Sequence, residues 1–259
     1  MKRGKLTRIA ISLLVGCILP QAAHASTPPN EAVATLPTPL PALIIDETLA
    51  QRERTHWRDT ISQMLSRVFP EMRILEGGSD DDALVTLLEH SFDNSKNETR
   101  SSTRRIEILL INSDQTNAFA SPADKVTGSP ARIRLTYPLL LQLRSESELA
   151  FVIAHELAHI RHNHFSLRFP TSMLTPSQMS HIRSVHEGWE LDADRQAVSQ
   201  LSNAGFDPAA SVSILTRLRD KESPRSEHCL HGHPLMIERL NSLEDELSRL
   251  PSPTAPFPG

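Results

Sequence analysis

The run His155-Glu156-Leu157-Ala158-His159 has the residue types and spacing of a metal centre, the HExxH pattern. Histidines four apart on a helix sit one above the other on the same face, so both imidazoles reach a single ion. Glu156 lies about 100° further round the helix, beside that ion rather than aimed at it. From there it is placed to take a proton from a water. A catalytic zinc is held by three protein groups and keeps one position for water, and two histidines with a carboxylate are a common set. Such an ion lowers the pKa of its water toward about 7 and polarises a carbonyl. Five residues of this kind also arise by chance. The context decides, because a charged group on an otherwise apolar helix face is costly to bury without a metal. The expectation is one Zn2+ per chain.

The third ligand has to come from elsewhere, and Glu190-Leu191-Asp192-Ala193-Asp194 is the best candidate. Glu190 and Asp194 are four apart and share a face. One can bind the ion while the other accepts a hydrogen bond from a ligand imidazole and fixes its tautomer. Glu190, with the longer stem, is assigned as ligand and Asp194 as the imidazole's partner. Two acids on a helix otherwise form a solvated face; the upstream HExxH gives them a task. His162 lies seven residues after His155 on the same face but points one turn too far, toward solvent or the site's border.

Several elements must position these residues. Glu47 to Val68 reads as an amphipathic helix ending before Pro70, and Ala83 to His90 as a second, shorter helix. Arg105 to Asn112 (RIEILLIN) is apolar and β-branched, which predicts a strand. Arg132 to Tyr137 (RIRLTY) alternates as a half-buried strand does. Ser145 and Glu148 form a capping box before Leu149 to Ala154, opening a helix that runs through HExxH to about His164. A further helix covers about His186 to Asn203, with Gly205 as its stop. Asp207-Pro208 start a third helix, to about Asp220, and Pro234 starts a last one, to about Leu250.

Four segments in this order resemble the gluzincin zinc metallopeptidases, the group of the HtpX, BepA and CAAX prenyl proteases. They are Asn117-Ala118-Phe119-Ala120 after a strand; Glu148-Leu149-Ala150 leading into HExxH, with His164 beyond it; Glu190-x-x-Ala193-Asp194-Arg195 followed by Ala204-Gly205-Phe206-Asp207-Pro208; and His233-Pro234-Leu235 with Arg239-Leu240. The resemblance spans about Arg105 to Leu243. It implies an α+β fold, mainly helical, with a small sheet beside the HExxH helix. It also implies Glu156 as general base, Glu190 as third zinc ligand and Asp194 as a hydrogen-bond partner of a ligand. His233 is implied as a catalytic residue, either stabilising an oxyanion or filling the open metal position at rest. A polar residue at a helix start is the plainer role for it, and Cys229 and His231 are near enough to compete. One departure concerns Pro138-Leu139-Leu140, where the family often has Gly-Leu-Leu. Proline has no N–H to offer a peptide along an edge strand, which puts the substrate-binding edge in question. The chain resembles neither the membrane-spanning nor the repeat-bearing members, so a stand-alone catalytic domain is expected.

The ends of the chain point to export. Lys2, Arg3, Lys5 and Arg8 precede the mainly apolar stretch Ile9 to Leu19, and Ala23-His24-Ala25 offers a cleavage site. The expected organisation is a signal peptide at 1–25, a Pro-rich linker at 26–45, a metallopeptidase domain at 46–250 and a Pro-rich tail at 251–259. Leu14-Val15-Gly16-Cys17 also fits a lipid-attachment box, so a lipid anchor at Cys17 competes with a soluble periplasmic form. If Cys17 leaves with the leader, Cys229 is the only thiol and no internal disulfide is possible. No later stretch is long enough to be a transmembrane helix. A net charge of -4, with only the Arg100, Arg104 and Arg105 cluster, gives no footprint for nucleic acid.

The expected partners are therefore polypeptides, specifically unfolded or misassembled cell-envelope proteins cleaved as an endopeptidase would cleave them. The competing reading is a metal-bound, weakly proteolytic binding module with chaperone-like action on the same clients. Retention of Glu156 separates the two, since a module without activity has no need of the base.

Overall fold

The computed structural model describes residues 47–79, 82–93, 100–165, 174–219 and 236–250. The expected leader, Cys17, the Pro-rich linker, the tail, Cys229, His231, His233 and Pro234 lie outside the described residues.

Helix α1 (Glu47–Val68) spans the predicted range. Trp57, Ile61, Met64, Leu65 and Val68 recur at helical spacing and are all fully buried. The helix stops just before Phe69-Pro70, because a residue preceding proline is pushed out of the helical region. Its apolar stripe lies against the sheet at strands β1 (Arg73–Glu76) and β2 (Ala83–Asp93).

The other strands are β3 (Arg100–Ile111), β4 (Ala118–Ser121) and β5 (Ala131–Thr136), and the sheet order is β1-β2-β3-β5-β4. β3 and β5 run parallel; every other pairing is antiparallel. β5 thus enters between β3 and β4, with Ile133 opposite Ile108 on one side and Ala120 on the other. Along β5 the Ala131, Ile133 and Leu135 side chains are buried while Arg132 and Arg134 are half-buried, the alternation that RIRLTY predicts.

Residues 83–90 correct one expectation: they are strand, not helix. Leu87 pairs with Ile74 of β1 and Ile106 of β3, so β2 is a central strand satisfied on both sides. A short apolar run bears no clear period, and β-branched Val85 and Thr86 fit the pleated surface better than a helix.

Pro138 lies outside the sheet. It opens the short helix α2 (Tyr137–Leu140), at a first-turn position where its missing N–H costs nothing. The sheet edge on that side is β4, and Ala118–Ser121 contains no proline.

The central element is α3 (Glu146–Arg161), buried along its whole length from Ser147 to Ile160. A helix apolar all round belongs in the middle of a core. Ser145 caps it by accepting the Glu148 N–H. The box is only half made, however. The Glu148 carboxylate accepts from the Arg144 N–H at 2.7 Å and pairs with Arg217 instead of returning to Ser145. The helix also ends at Arg161, three residues short of the expected His164.

Helix α4 (Pro176–Asn203) starts ten residues before its expected beginning at His186. Thr175 and Gln178 form a reciprocal capping box with Pro176 in the first turn, a local start signal ahead of the apolar part of the helix. Gly205 ends the helix in the left-handed region, φ +73°, as expected. Asp207 Oδ1 accepts the Ala209 N–H at the entry to α5 (Ala210–Arg219), and α6 (Met236–Arg249) closes the fold. The architecture is α+β, mainly helical, with the sheet beside α3. Among the described residues, no helix is long and apolar enough to cross a membrane.

Candidate metal centre

Helices α3 and α4 pack against each other, and α6 also packs against α4. On α3, His155 and His159 are buried and their Nε2 atoms stand 2.9 Å apart. Glu190 on α4 faces both, with Oε2 3.5 Å from His155 Nε2 and Oε1 3.4 Å from His159 Nε2. Three groups from two helices therefore aim ligand atoms at one point.

Asp194, one turn along from Glu190, sits behind His155. Its Oδ1 is 2.7 Å from His155 Nδ1. A proton on Nδ1 leaves the Nε2 lone pair facing Glu190. The structure therefore brings His155, His159, Glu190 and Asp194 into contact. Glu190 touches the shared point and Asp194 the far side of an imidazole.

Glu156 is fully buried next to His155 in the chain. Neither carboxylate oxygen has a well-formed hydrogen bond. Burial pushes its pKa up to about 8; the charges on His155 and Arg239 and the nearby Ala120 amide of β4 only partly oppose this. A buried acid without partners is destabilising unless the site uses it.

The imidazoles respond to their surroundings in opposite directions. Burial holds His159 neutral, with its pKa near 3, so its lone pair is available. Burial works the same way on His155, but the Asp194 charge and contact outweigh it and raise the value to about 9. Glu190 resists the upward push of burial; contacts with His155, His159 and Arg239 hold it well below the usual carboxylate range. Two imidazoles and a permanently ionised carboxylate, gathered around one point beside an unpartnered buried acid, fit a zinc ion. A cation there would replace the proton that His155 otherwise gains.

Arg239 is the residue whose role the sequence left open. It is 1% exposed on α6 and grips Asp194 through Nε–Oδ2 at 2.7 Å and Nη2–Oδ1 at 2.6 Å. Its Nη1 is 3.5 Å from Glu190 Oε2. A signal was present: Arg239 occupies the apolar stripe of α6 beside Leu240 and Leu243, where a cation demands a counter-ion.

His162 is exposed, and its Nε2 pairs with Gln196 Oε1 at 2.8 Å, so it stands outside the trio. His164 is buried and touches His159 from behind, Nδ1 to Nδ1 at 3.0 Å.

Residues 86–189 match the family profile described as Peptidase family M48. Over that range the chain is similar to peptidase family M48. The matched range contains His155, Glu156 and His159 and ends at Trp189, one residue before Glu190. The chain is similar to the beta-barrel assembly-enhancing protease of Yersinia pestis, 29% identical over 179 residues that cover 56% of this chain and 35% of that protein. It is also similar to the protein of the same name from Escherichia coli (strain K12), 26% identical over 175 residues, 55% of this chain and 34% of the relative. The chain thus matches about a third of the length of these curated relatives. The similarity to family M48 supports a protease, and the group of His155, His159 and Glu190 suits the metal-dependent kind.

Proposed function

We propose that this protein is a zinc-dependent endopeptidase that cleaves unfolded or misassembled polypeptides of the cell envelope. His155, His159 and Glu190 hold one Zn2+ per chain, Glu156 is the general base, and His233, outside the described residues, is a further catalytic residue. The observation that carries this reading is the convergence of two imidazole Nε2 atoms and the Glu190 carboxylate beside buried Glu156. The substrate class and a periplasmic setting rest on the names of the relatives and on the charged, apolar and small-residue order of residues 1–25. The catalytic domain is taken as 46–250.

When bound, the ion supplies Lewis-acid polarisation of the scissile carbonyl and makes water acidic enough to attack near neutral pH. The chain's own groups do the rest. Glu156 accepts the proton of the attacking water on a carboxylate oxygen and returns it to the departing amine. Asp194 keeps the His155 proton on Nδ1, so Nε2 stays a lone-pair donor. Arg239 balances Asp194 and Glu190, which would otherwise repel one another and drive up each other's pKa. β4, next to α3 at the sheet edge, offers backbone groups along which an extended peptide can lie as an added strand. Recognition through main-chain atoms suits unfolded clients of varied sequence.

The test is hydrolysis of an unfolded casein-type substrate by the purified chain, with and without a chelator. Zinc-restored cleavage is expected. Client binding that a chelator leaves intact, with no cleavage at any metal level, would favour a chaperone-like binding module instead.

A further inference from the structure

α3 ends in a turn that folds the chain back over one of its own histidines. Asn163 adopts the left-handed conformation, φ 53°. Its N–H reaches the Ile160 carbonyl at 3.4 Å, and the His164 N–H reaches the His159 carbonyl at 3.0 Å. This pair of bonds is a Schellman closure, with asparagine where glycine is more usual. The His159 and His164 side chains are therefore joined by the backbone before their rings meet.

The rings then meet edge to face, centroids 5.0 Å apart, with Nδ1 3.0 Å from Nδ1. His164 also stacks flat on Trp189, 5.2 Å between centroids and 5° between planes. Trp189 precedes Glu190 on α4, so both elements of the candidate centre hold this ring.

A neutral imidazole has one N–H and one lone pair. His159 turns Nε2 toward His155 and Glu190, so a ligand role puts its proton on Nδ1. That N–H points at His164 Nδ1, which must then be the acceptor. The His164 proton is thereby forced onto Nε2, on the side of Asp192, whose Oδ2 is 4.0 Å away.

We propose that His164 is a positioning residue for the metal ligand His159. It accepts the His159 Nδ1–H, fixing that ring's tautomer and angle as Asp194 does for His155. The proposal rests on the metal-centre reading above. It has a second consequence. His162, His164 and Asp192 bring ligand atoms within 4.8 Å of one another and so form a second metal-like group. With Nδ1 engaged and Nε2 protonated, His164 has no lone pair left for a second ion. The trio stays metal-free while the first centre is loaded.

The experiment is zinc titration of the full chain against a competing chromophoric chelator, in wild type, His164→Phe and His164→Asn. Phenylalanine keeps the ring on Trp189 but removes the acceptor; asparagine places an amide oxygen near the former Nδ1. Wild type should bind one zinc. His164→Phe should bind about 10–100-fold more weakly, with asparagine restoring most of the loss. Nitrogen-15 ring correlations of the zinc-loaded wild type should show His159 protonated at Nδ1 and His164 at Nε2. Those spectra also decide the matter if His164→Phe does not fold. Unchanged affinity in His164→Phe, a His164 proton on Nδ1, or two zinc ions per wild-type chain would overturn the proposal alone. A wild-type chain that binds no zinc would overturn the metal centre, and this proposal with it.

Discussion

Arg239 and Asp194 are joined by two hydrogen bonds, and the Asp194 oxygen that receives one of them also lies against His155 Nδ1. A guanidinium on α6, a carboxylate on α4 and an imidazole on α3 thus form one line through three helices. The last helix of the fold is therefore an electrostatic component of the site as well as a cover for its apolar surface.

Removing the cation should be costly. Arg239→Met leaves buried Asp194 and Glu190 with His155 alone to offset two negative charges, and we expect a loss of about 3–5 kcal/mol in stability, as for other broken buried pairs. Arg239→Lys keeps the charge but loses the two-pronged grip, so it should fall between. Chemical denaturation of the metal-free forms measures both. A near-neutral Arg239→Met would mean that the line of charges contributes nothing to the fold.

Glu190 and Asp194 should differ in kind when lost. Glu190→Ala removes a ligand and should nearly abolish zinc binding. Asp194→Ala removes the partner of His155 and should weaken affinity by about 10–100-fold while leaving measurable metal. If titration shows Asp194→Ala to be the emptier site, the two roles are reversed.

Glu156→Gln should bind zinc and lose nearly all hydrolysis, because an amide cannot accept the proton. The same change should leave stability equal or higher. Glu156 is buried with no well-formed hydrogen bond, the kind of group kept for function at the expense of the fold. Thermal unfolding alongside casein hydrolysis reads both effects; an active variant would place the base elsewhere.

Away from the site, Glu107 gives the chain an acid-sensitive point. Its buried carboxylate accepts from the Ser79 N–H and hydroxyl at 2.6 and 2.7 Å and pairs with Arg105 and Arg132. Burial raises its pKa, but Ser79, Arg132 and Arg105 together outweigh that and hold it below the ordinary 4.5. A lowered pKa stabilises the fold above the ordinary value and ceases to do so as pH falls through the folded one. Glu107→Gln should therefore cost roughly 1–3 kcal/mol at pH 7. Unfolding curves at decreasing pH should show that gap closing below about pH 4; a gap constant down to pH 2 would contradict this account.

Most of the site was legible because its residues carry local signals. HExxH inside an apolar run and an acid pair four apart on a later helix specify which atoms can meet. The elements that misled were those decided by partners distant in sequence. Residues 83–90 became a strand because β1 and β3 flank them, and Glu148 left its box because Arg217 competes for it. The sequence showed Arg239 in an apolar stripe but not which acid it would meet, since 45 positions separate it from Asp194. The Thr175–Gln178 start of α4 is a local signal, but little apolar periodicity follows it before Trp189 to mark a helix there.

The strand order carries a consequence for how the protein comes into being. β4 and β5 are consecutive in the chain and pair antiparallel, and β5 also takes a parallel place along β3, a pairing between strands that are not consecutive. The β2–β3 and β4–β5 hairpins each need only neighbouring sequence, whereas the parallel β3–β5 seam that joins them needs both. Contact order makes that seam, rather than either hairpin, the slow contact of the sheet. Until that seam closes, the edge strand β4 has no fixed place beside α3.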